Sequence, residues 1–388
     1  MIYLDNAATS YPKPKKVGQA MLYFLEKIGA SPGRSGHRLS LKAGRIVYQT
    51  RESLAQLFDV DDPLRIIFTL NVTEALNLAL KGLLRPGDQV ITSSLEHNSV
   101  MRPLRELQKE GVEVEVIPCS PQGDLDPADV KKAIKKNSKL IVLNHGSNVI
   151  GNLLPISAVG KISRDHGLLF LVDVAQTAGC YPLDLKKDNL DLLAFTGHKA
   201  LFGPPGTGGL VLGERVEIRK LKPLKSGGTG SQSESEEQPD FLPDIYESGT
   251  PNTVGLSGLK EGLRFVLQKG AEKIHGYEFE LTQRLIAGLK DIPGVIVYGG
   301  EGNKDRIAVV SFNIKDQLPS EVGLRLEEEY KIMCRVGLHC SPAAHKTIGT
   351  FPGGTVRFSM SWFNTFKEID EAILAVSNIA RRHKRRRG

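Results

Sequence analysis

From about residue 45 to residue 215, short apolar runs alternate with stretches whose apolar residues recur at helical spacing, and that alternation leaves few folds open. "LRIIFTL", "DQVITSS", "VEVEVIP", "KLIVLNH", "LLFLVDV", "LDLLAFT" and "TGGLVLG" read as strands. "NVTEALNLALKGLL" reads as a helix, with Asn71 and Thr73 at its start, where capping oxygens belong. This order predicts an α/β domain on a mainly parallel sheet of the seven-stranded type. Polar residues crowd the carboxyl ends of the strands: Glu96 and His97, Asn144 and His145, Asp173 and Gln176, Thr196 and His198. Ligands of open α/β sheets bind outside those ends.

The chain has 388 residues, more than one core usually spans, so a second and smaller domain is expected. "KSGGTGSQSESEEQPDFLPD" (225–244) reads as a long loop, and a mostly helical stretch follows, one long helix or two abutting ones. "VIVYG", "RIAVVSFNI" and "TVRFSMSW" then read as strands around helices near 319–330 and 366–382. We expect a large domain over 15–255 and a smaller α+β domain made of 1–14 and 256–388. No apolar run approaches the roughly 20 residues that cross a bilayer, and "MIYLDNAATS" has no signal-peptide character, so a cytoplasmic protein without membrane contact is expected. The four cysteines, at 119, 180, 334 and 340, form neither a disulfide framework nor a CxxC pair, and no metal site is expected. The net charge of +7 owes six Lys/Arg to "RRHKRRRG" at the end of the chain. With the body near neutral and no nucleic-acid motif, nucleic acid is not the expected partner.

"FTGHKALFGPPGTGGLVLG" places Lys199 directly before a run that opens like an ATP-binding Walker A loop. Gly209 and Leu210 stand where that loop needs its lysine and hydroxyl, so the lysine of interest is the one before the glycines. Asp173 ends an almost unbroken apolar strand, where an aspartate is either a buried cost or a paired functional charge. The company it keeps suits pyridoxal phosphate. Lys199 lies beyond the next strand, Gln176 one turn after Asp173, and His97 after an earlier strand. Such a cofactor needs a lysine for its aldehyde, a carboxylate for its ring nitrogen and a helix N-terminus, here at Val72 and Thr73, for its phosphate.

With these residues in view, the chain resembles the pyridoxal-phosphate-dependent cysteine desulfurases of the class V aminotransferase superfamily, which have the fold-type I architecture. The resemblance runs through "YLDNAATS", "NVTEALNLAL", "SLEHNSVMRPL", "NHGSNVIGNLLPI", "VDVAQTAG", "FTGHKALFGPPGTGGL", "ESGTPNT" and "RVGLHCSPAAHKTIGTFPGGTVRFSMSWFNT" in the family's order. It implies that Lys199 holds the cofactor and moves the substrate's α-proton, Asp173 pairs with the pyridine nitrogen and Gln176 bonds the phenolic oxygen. His97 would stack on the ring and assist proton transfer. Val72, Thr73, Thr196 and His198 resemble the phosphate site, with Thr250 reaching the phosphate of a neighbouring subunit, which implies a homodimer with shared active sites. Asn148 and Arg357 match residues that position the substrate, the arginine suiting its carboxylate. Arg34 and His37 line up near the pocket mouth.

Cys340 decides the reaction. An unperturbed thiol has a pKa of about 8.5 and needs positive or polar neighbours to become a good nucleophile. Arg335, His339 and His345 surround it in sequence, and its flanks read as a polar loop; Cys119, Cys180 and Cys334 read as packing residues. The motif is "GLHCS" where many family members carry two adjacent histidines and an alanine. The resemblance implies conversion of L-cysteine to L-alanine with a persulfide on Cys340 for a sulfur-acceptor protein. L-selenocysteine or cystine cleavage is open to the same cofactor set. A scaffold for RNA or a sulfur carrier is the rival from another class, and an intact Lys199, Asp173, Cys340 and Arg357 set argues against it. The destination of the sulfur, whether iron–sulfur clusters, thiolated tRNA or a cofactor, is not written in the sequence.

Overall fold

The computed structural model describes residues 1–33, 35–300 and 306–387, with backbone alone beyond Arg381. The chain opens with strand β1 (Ile2–Tyr3) and helices α1 (Lys15–Lys27) and α2 (Arg38–Phe58). The next part alternates as its apolar pattern requires: β2 (Ile66–Thr69), α3 (Val72–Leu83), β3 (Gln89–Ser93), α4 (Asn98–Lys109), β4 (Glu113–Ile117), α5 (Pro127–Lys132), β5 (Ser138–Asn144), α6 (Ile156–Asp165), β6 (Leu169–Asp173), β7 (Leu192–Thr196) and β8 (Gly208–Leu212). These strands form one seven-stranded sheet of order β2-β8-β7-β6-β5-β3-β4. β8 runs against both its neighbours and the other adjacent pairs are parallel.

The sheet is buried on both faces, so its strands are apolar at successive positions rather than alternate ones. Ile141, Leu143, Phe170, Val172 and Phe195 pack on one side, and Leu140, Val142, Leu171, Leu192 and Ala194 on the other. A fully buried side chain of this size contributes about 1.5–3 kcal/mol. No regular element occupies the expected loop at 225–244.

α7 (Thr253–Lys269) and α8 (Ala271–Lys290) abut at Gly270, whose φ of +82° turns the chain between them. The rest comprises β9 (Val295–Tyr298), β10 (Val309–Ile314), α9 (Pro319–Tyr330), β11 (Ile332–Met333), β12 (Arg335–Gly337), α10 (Pro342–Thr347), β13 (Thr355–Ser359) and α11 (Phe366–Arg387). An antiparallel sheet of order β12-β13-β10-β9 packs its apolar side on α8, α9 and α11, while β1 pairs with β11. α7 packs on α1 and α2, although an expected division at residue 255 falls inside it. We propose Gly270 as the dividing point instead. No described helix is long and apolar enough to cross a membrane.

Candidate active site

The carboxyl ends of β3, β5, β6 and β7 deliver their polar residues to one small cavity. Val72, His97, Asn148, Asp173, Gln176 and Lys199 all line it. A larger cleft lies elsewhere, against the α7–α8 junction, and holds none of these six. Chemistry, not size, marks the smaller one. Thr73, Thr196 and His198 adjoin the cavity in sequence without lining it, and Thr250 is exposed ahead of α7. Arg34 lies outside the described residues. His37 caps α2, its Nδ1 accepting from the Ser40 N–H at 3.2 Å.

Lys199 sits in the turn after β7, and the Gly/Pro run folds back to brace that turn. Gly197 donates to the Thr207 carbonyl at 2.8 Å, and Gly203 to the Gly197 carbonyl at 2.7 Å. A Cβ on Gly197 would lie 2.2 Å from Thr207 Oγ1, which explains a glycine two residues before the lysine. Burial lowers Lys199 to about 8, helped by Arg357 and Arg335 and opposed by Asp173. Asp173 is buried and held by the Ala175 N–H at 2.9 Å; desolvation raises its carboxyl despite that bond and the charge of Lys199.

His97 caps α4. Its Nδ1 accepts from the Ser99 N–H at 3.1 Å, which leaves the ring proton on Nε2. Burial, then the charge of Lys199, lowers it to about 3, so the imidazole is a neutral Nε2–H donor at working pH. Gln176 donates through Nε2 to the Ala7 carbonyl at 3.0 Å. At the start of α3, Asn71 caps only the Glu74 N–H, so the amides of Val72 and Thr73 are left to an anion. His198 Nδ1 is buried without a partner, and Thr196 Oγ1 lies 3.5 Å from the Thr207 carbonyl.

The second sheet brings Arg357 and Cys340 to the same place. Fully buried Arg357 donates through Nη1 to the Asn148 carbonyl at 3.0 Å and through Nη2 to Asp5 Oδ1 at 2.7 Å, while its Nε has no partner. Arg335 stands opposite Arg357 in the β12–β13 register and puts Nη2 3.0 Å from Cys340 Sγ. Cys340 is exposed, whereas burial raises Cys119, Cys180 and Cys334.

The cysteine loop is tied down around an unusual backbone. His339 and Cys340 both take left-handed φ, +48° and +60°. The Asn148 amide donates to the His339 carbonyl at 2.7 Å and accepts from Ser341 Oγ at 2.8 Å, and the Cys340 carbonyl accepts from the Asn98 N–H at 2.9 Å. Nearby, His339 and His345 are buried and lowered to about 2 and about 4 by desolvation.

Four residues of this arrangement carry no role in the motif reading: Asp5, Glu96, Glu278 and, except as a neighbour of Cys340, Arg335. Glu96 is fully buried, accepts the Asn144 N–H on both oxygens at 3.0 Å and is raised to about 8 by burial. Glu278 interrupts the buried stripe of α8 between Ile274 and Leu281, a signal visible in the sequence. Among the described residues no three His, Cys, Asp or Glu side chains converge as a metal site.

An α/β sheet with a lysine and a carboxylate at its strand ends, and a second sheet closing over them, defines the fold-type I class. The family model described as aminotransferase class-V matches residues 2–372, and the chain belongs to that family. It is 34% identical over 373 residues to a protein of Methanothermobacter thermautotrophicus named "probable cysteine desulfurase", covering 95% of this chain and 92% of the relative. A protein of Pyrococcus abyssi with the same name is 36% identical over 379 residues, at 95% and 92% coverage. The apo structure of a cysteine desulfurase from Thermococcus onnurineus superposes with a TM-score of 0.92 at 34% identity, covering 98% of this chain and 94% of that one.

Proposed function

We propose that the protein is a pyridoxal-phosphate-dependent cysteine desulfurase that converts L-cysteine to L-alanine and takes the sulfur onto Cys340. The observation that carries this reading is an exposed thiol touching Arg335, on a loop fastened to the same Asn148 that lines the Lys199–Asp173 cavity.

The residues fit the cofactor. Asp173 is a buried carboxylate whose ionisation burial opposes, and a protonated ring nitrogen is the cationic partner it lacks. The uncapped amides of α3 and the buried, partnerless His198 Nδ1 suit a phosphate, with Thr73 and Thr196 beside them. When bound, the cofactor supplies an aldehyde that condenses with amines and a ring that withdraws electrons from the adjoining carbon.

The chain does the rest. Lys199, at about 8, is available as a neutral amine near physiological pH and can take the substrate's α-proton on Nζ and return it. His97 would lie against the cofactor as a neutral imidazole that keeps its Nε2–H as a fixed donor, and Gln176 would support the phenolic oxygen. Arg357 keeps a buried nitrogen without a partner, Nε, whose N–H suits a carboxylate, with Asn148 beside it. Arg335 donates to Cys340 Sγ at 3.0 Å and orients it; that Sγ bonds to the substrate sulfur as that sulfur's bond to carbon breaks. The electron pair of the broken bond stays with carbon, which takes a proton on the way to alanine.

A homodimer with shared sites accompanies this reading. Exposed Leu22, Tyr23 and Leu25 of α1 and Leu41 and Tyr48 of α2 offer apolar surface to a second copy, and in such a dimer the exposed Thr250 would serve the partner's phosphate site. A sulfur-acceptor protein is the expected recipient of the persulfide.

The test is product analysis with L-cysteine, L-selenocysteine and cystine. Cys340→Ser is expected to lose alanine formation from cysteine, and wild-type enzyme to carry the persulfide on Cys340 rather than on Cys119, Cys180 or Cys334. Normal alanine production by the serine variant, or pyruvate as the main product, would make the protein a lyase.

A further inference from the structure

Lys199 lines two cavities. One is the site already described; the other is lined by the N-terminal segment, the turns after β6 and β7, α8 and the ends of β10 and β13. Asp173 and His97 do not reach this second cavity. It has about 30 Å³ of room, enough for one or two water molecules, and a polar wall that includes Asn6, Ser10, Gln176 and Ser361. Its titratable side chains, among the described residues, are Lys199, Cys180 and Glu278.

Cys180 is no participant. Its Sγ donates to the Gln176 carbonyl at 3.2 Å, and burial keeps it a thiol. Glu278 is buried, and the Trp362 N–H bonds its carboxyl. A carboxyl in the apolar stripe of a helix is expensive unless something nearby uses it. The one cationic group on the same cavity is the lysine that must change protonation in every turnover.

We propose that Glu278, with water in this second cavity, is a proton store that exchanges one proton with Lys199 Nζ from a side the cofactor does not occupy. In the forward direction the Glu278 O–H breaks and an N–H forms on the Lys199 amine, giving carboxylate and ammonium; the reverse restores both, and no redox change occurs. Burial pushes Glu278 up to about 8 and Lys199 down to about 8, so each is held toward its neutral form, acid and amine. Glu278 is therefore a positioning residue for a proton, acting through Lys199 and touching no reacting atom.

This inference rests on Lys199 being the cofactor lysine, but its first test needs neither cofactor nor substrate. Trinitrobenzenesulfonate labelling of Lys199 in the apo-protein, followed across pH by peptide mapping, reads the amine's midpoint. Above about pH 8 Glu278 is a carboxylate that favours the ammonium, so Glu278→Gln is expected to move the midpoint to lower pH. Glu278→Asp, which keeps the acid but withdraws it by one methylene, is expected to move it less and serves if the glutamine variant does not fold. In the holoenzyme, α-deuterated cysteine should leave more deuterium in alanine made by Glu278→Gln, because label on Lys199 has lost its exchange route. An unchanged midpoint in a folded variant, or unchanged deuterium retention, overturns the store. Complete absence of alanine from wild type would instead sink the desulfurase reading and leave the titration to decide this one.

Discussion

Asn148→Ala separates the Cys340 loop from the rest of the site. The amide makes one bond on each side of the cysteine, to the His339 carbonyl at 2.7 Å and from Ser341 Oγ at 2.8 Å, and all three residues are buried. Such bonds contribute about 0.5–1.5 kcal/mol each, so truncation withdraws roughly 1–3 kcal/mol from the loop. Opposing them is the left-handed backbone at His339 and Cys340, which costs about 1–2 kcal/mol per residue. The two sums are of one size, and what remains is the Asn98 bond to the Cys340 carbonyl, the Arg335 contact with Sγ, the His339–Thr355 bond at 3.0 Å and the Ser341 N–H to the Leu338 carbonyl at 2.8 Å, none of which runs to a residue lining the Lys199–Asp173 cavity. The working conformation should therefore lose population by about tenfold to a hundredfold, at 1.4 kcal/mol per factor of ten. The Arg357 contact survives, because it uses the Asn148 backbone carbonyl. The assay is alanine formed from cysteine, run beside the absorbance of bound cofactor. Alanine formation is expected to fall by about that factor while cofactor still binds. Turnover within about twofold of wild type would refute the view that this amide holds the loop against its own strain.

Two further outcomes test the chemistry. Borohydride reduction of the yellow holoenzyme is expected to fix the cofactor to Lys199, and peptide mapping to another lysine removes the assignment. Glu96 has a folded pKa of about 8, above its unfolded value, so its protonated form contributes stability that is fully present below about pH 4.5 and lost as pH rises through about 8. Wild type should thus lose stability relative to Glu96→Gln between pH 6 and pH 9 in urea unfolding, and a constant gap contradicts the buried acid.

The sequence made the large sheet and its strand-end residues readable because those signals are local. An apolar run that stops at Asp173, or a lysine after "FTGH", needs no distant information. The direction of β8 was not readable from its own residues, since "GGLVLG" looks the same either way. Its signal is the short, helix-free connection over 197–207, because a parallel neighbour needs a longer crossover. The Asp5–Arg357 pair, the Asn148 clamp and the Arg335–Cys340 contact depend on strand pairing in the second sheet, where β12 has three residues and offers no periodicity. Cys340 was marked by its polar flanks, yet its left-handed φ was hidden by the absence of a glycine there.

The pairing of residues 2–7 with residues 331–359 joins segments far apart in the sequence. Residues 2–7 bond to residues 331–333, 357 and 359: β1 to β11, Asp5 to Arg357, and Ala7 to Ser359 Oγ at 2.9 Å. A ribosome releases residues 2–7 long before residues 331–359, while the large sheet is complete once residue 212 has emerged. A nascent chain can therefore bury its largest core with the N-terminal segment still waiting for its partner. The Asp5–Arg357 pair forms only after residue 357 has emerged, so a product stalled before it carries the large sheet without that pair.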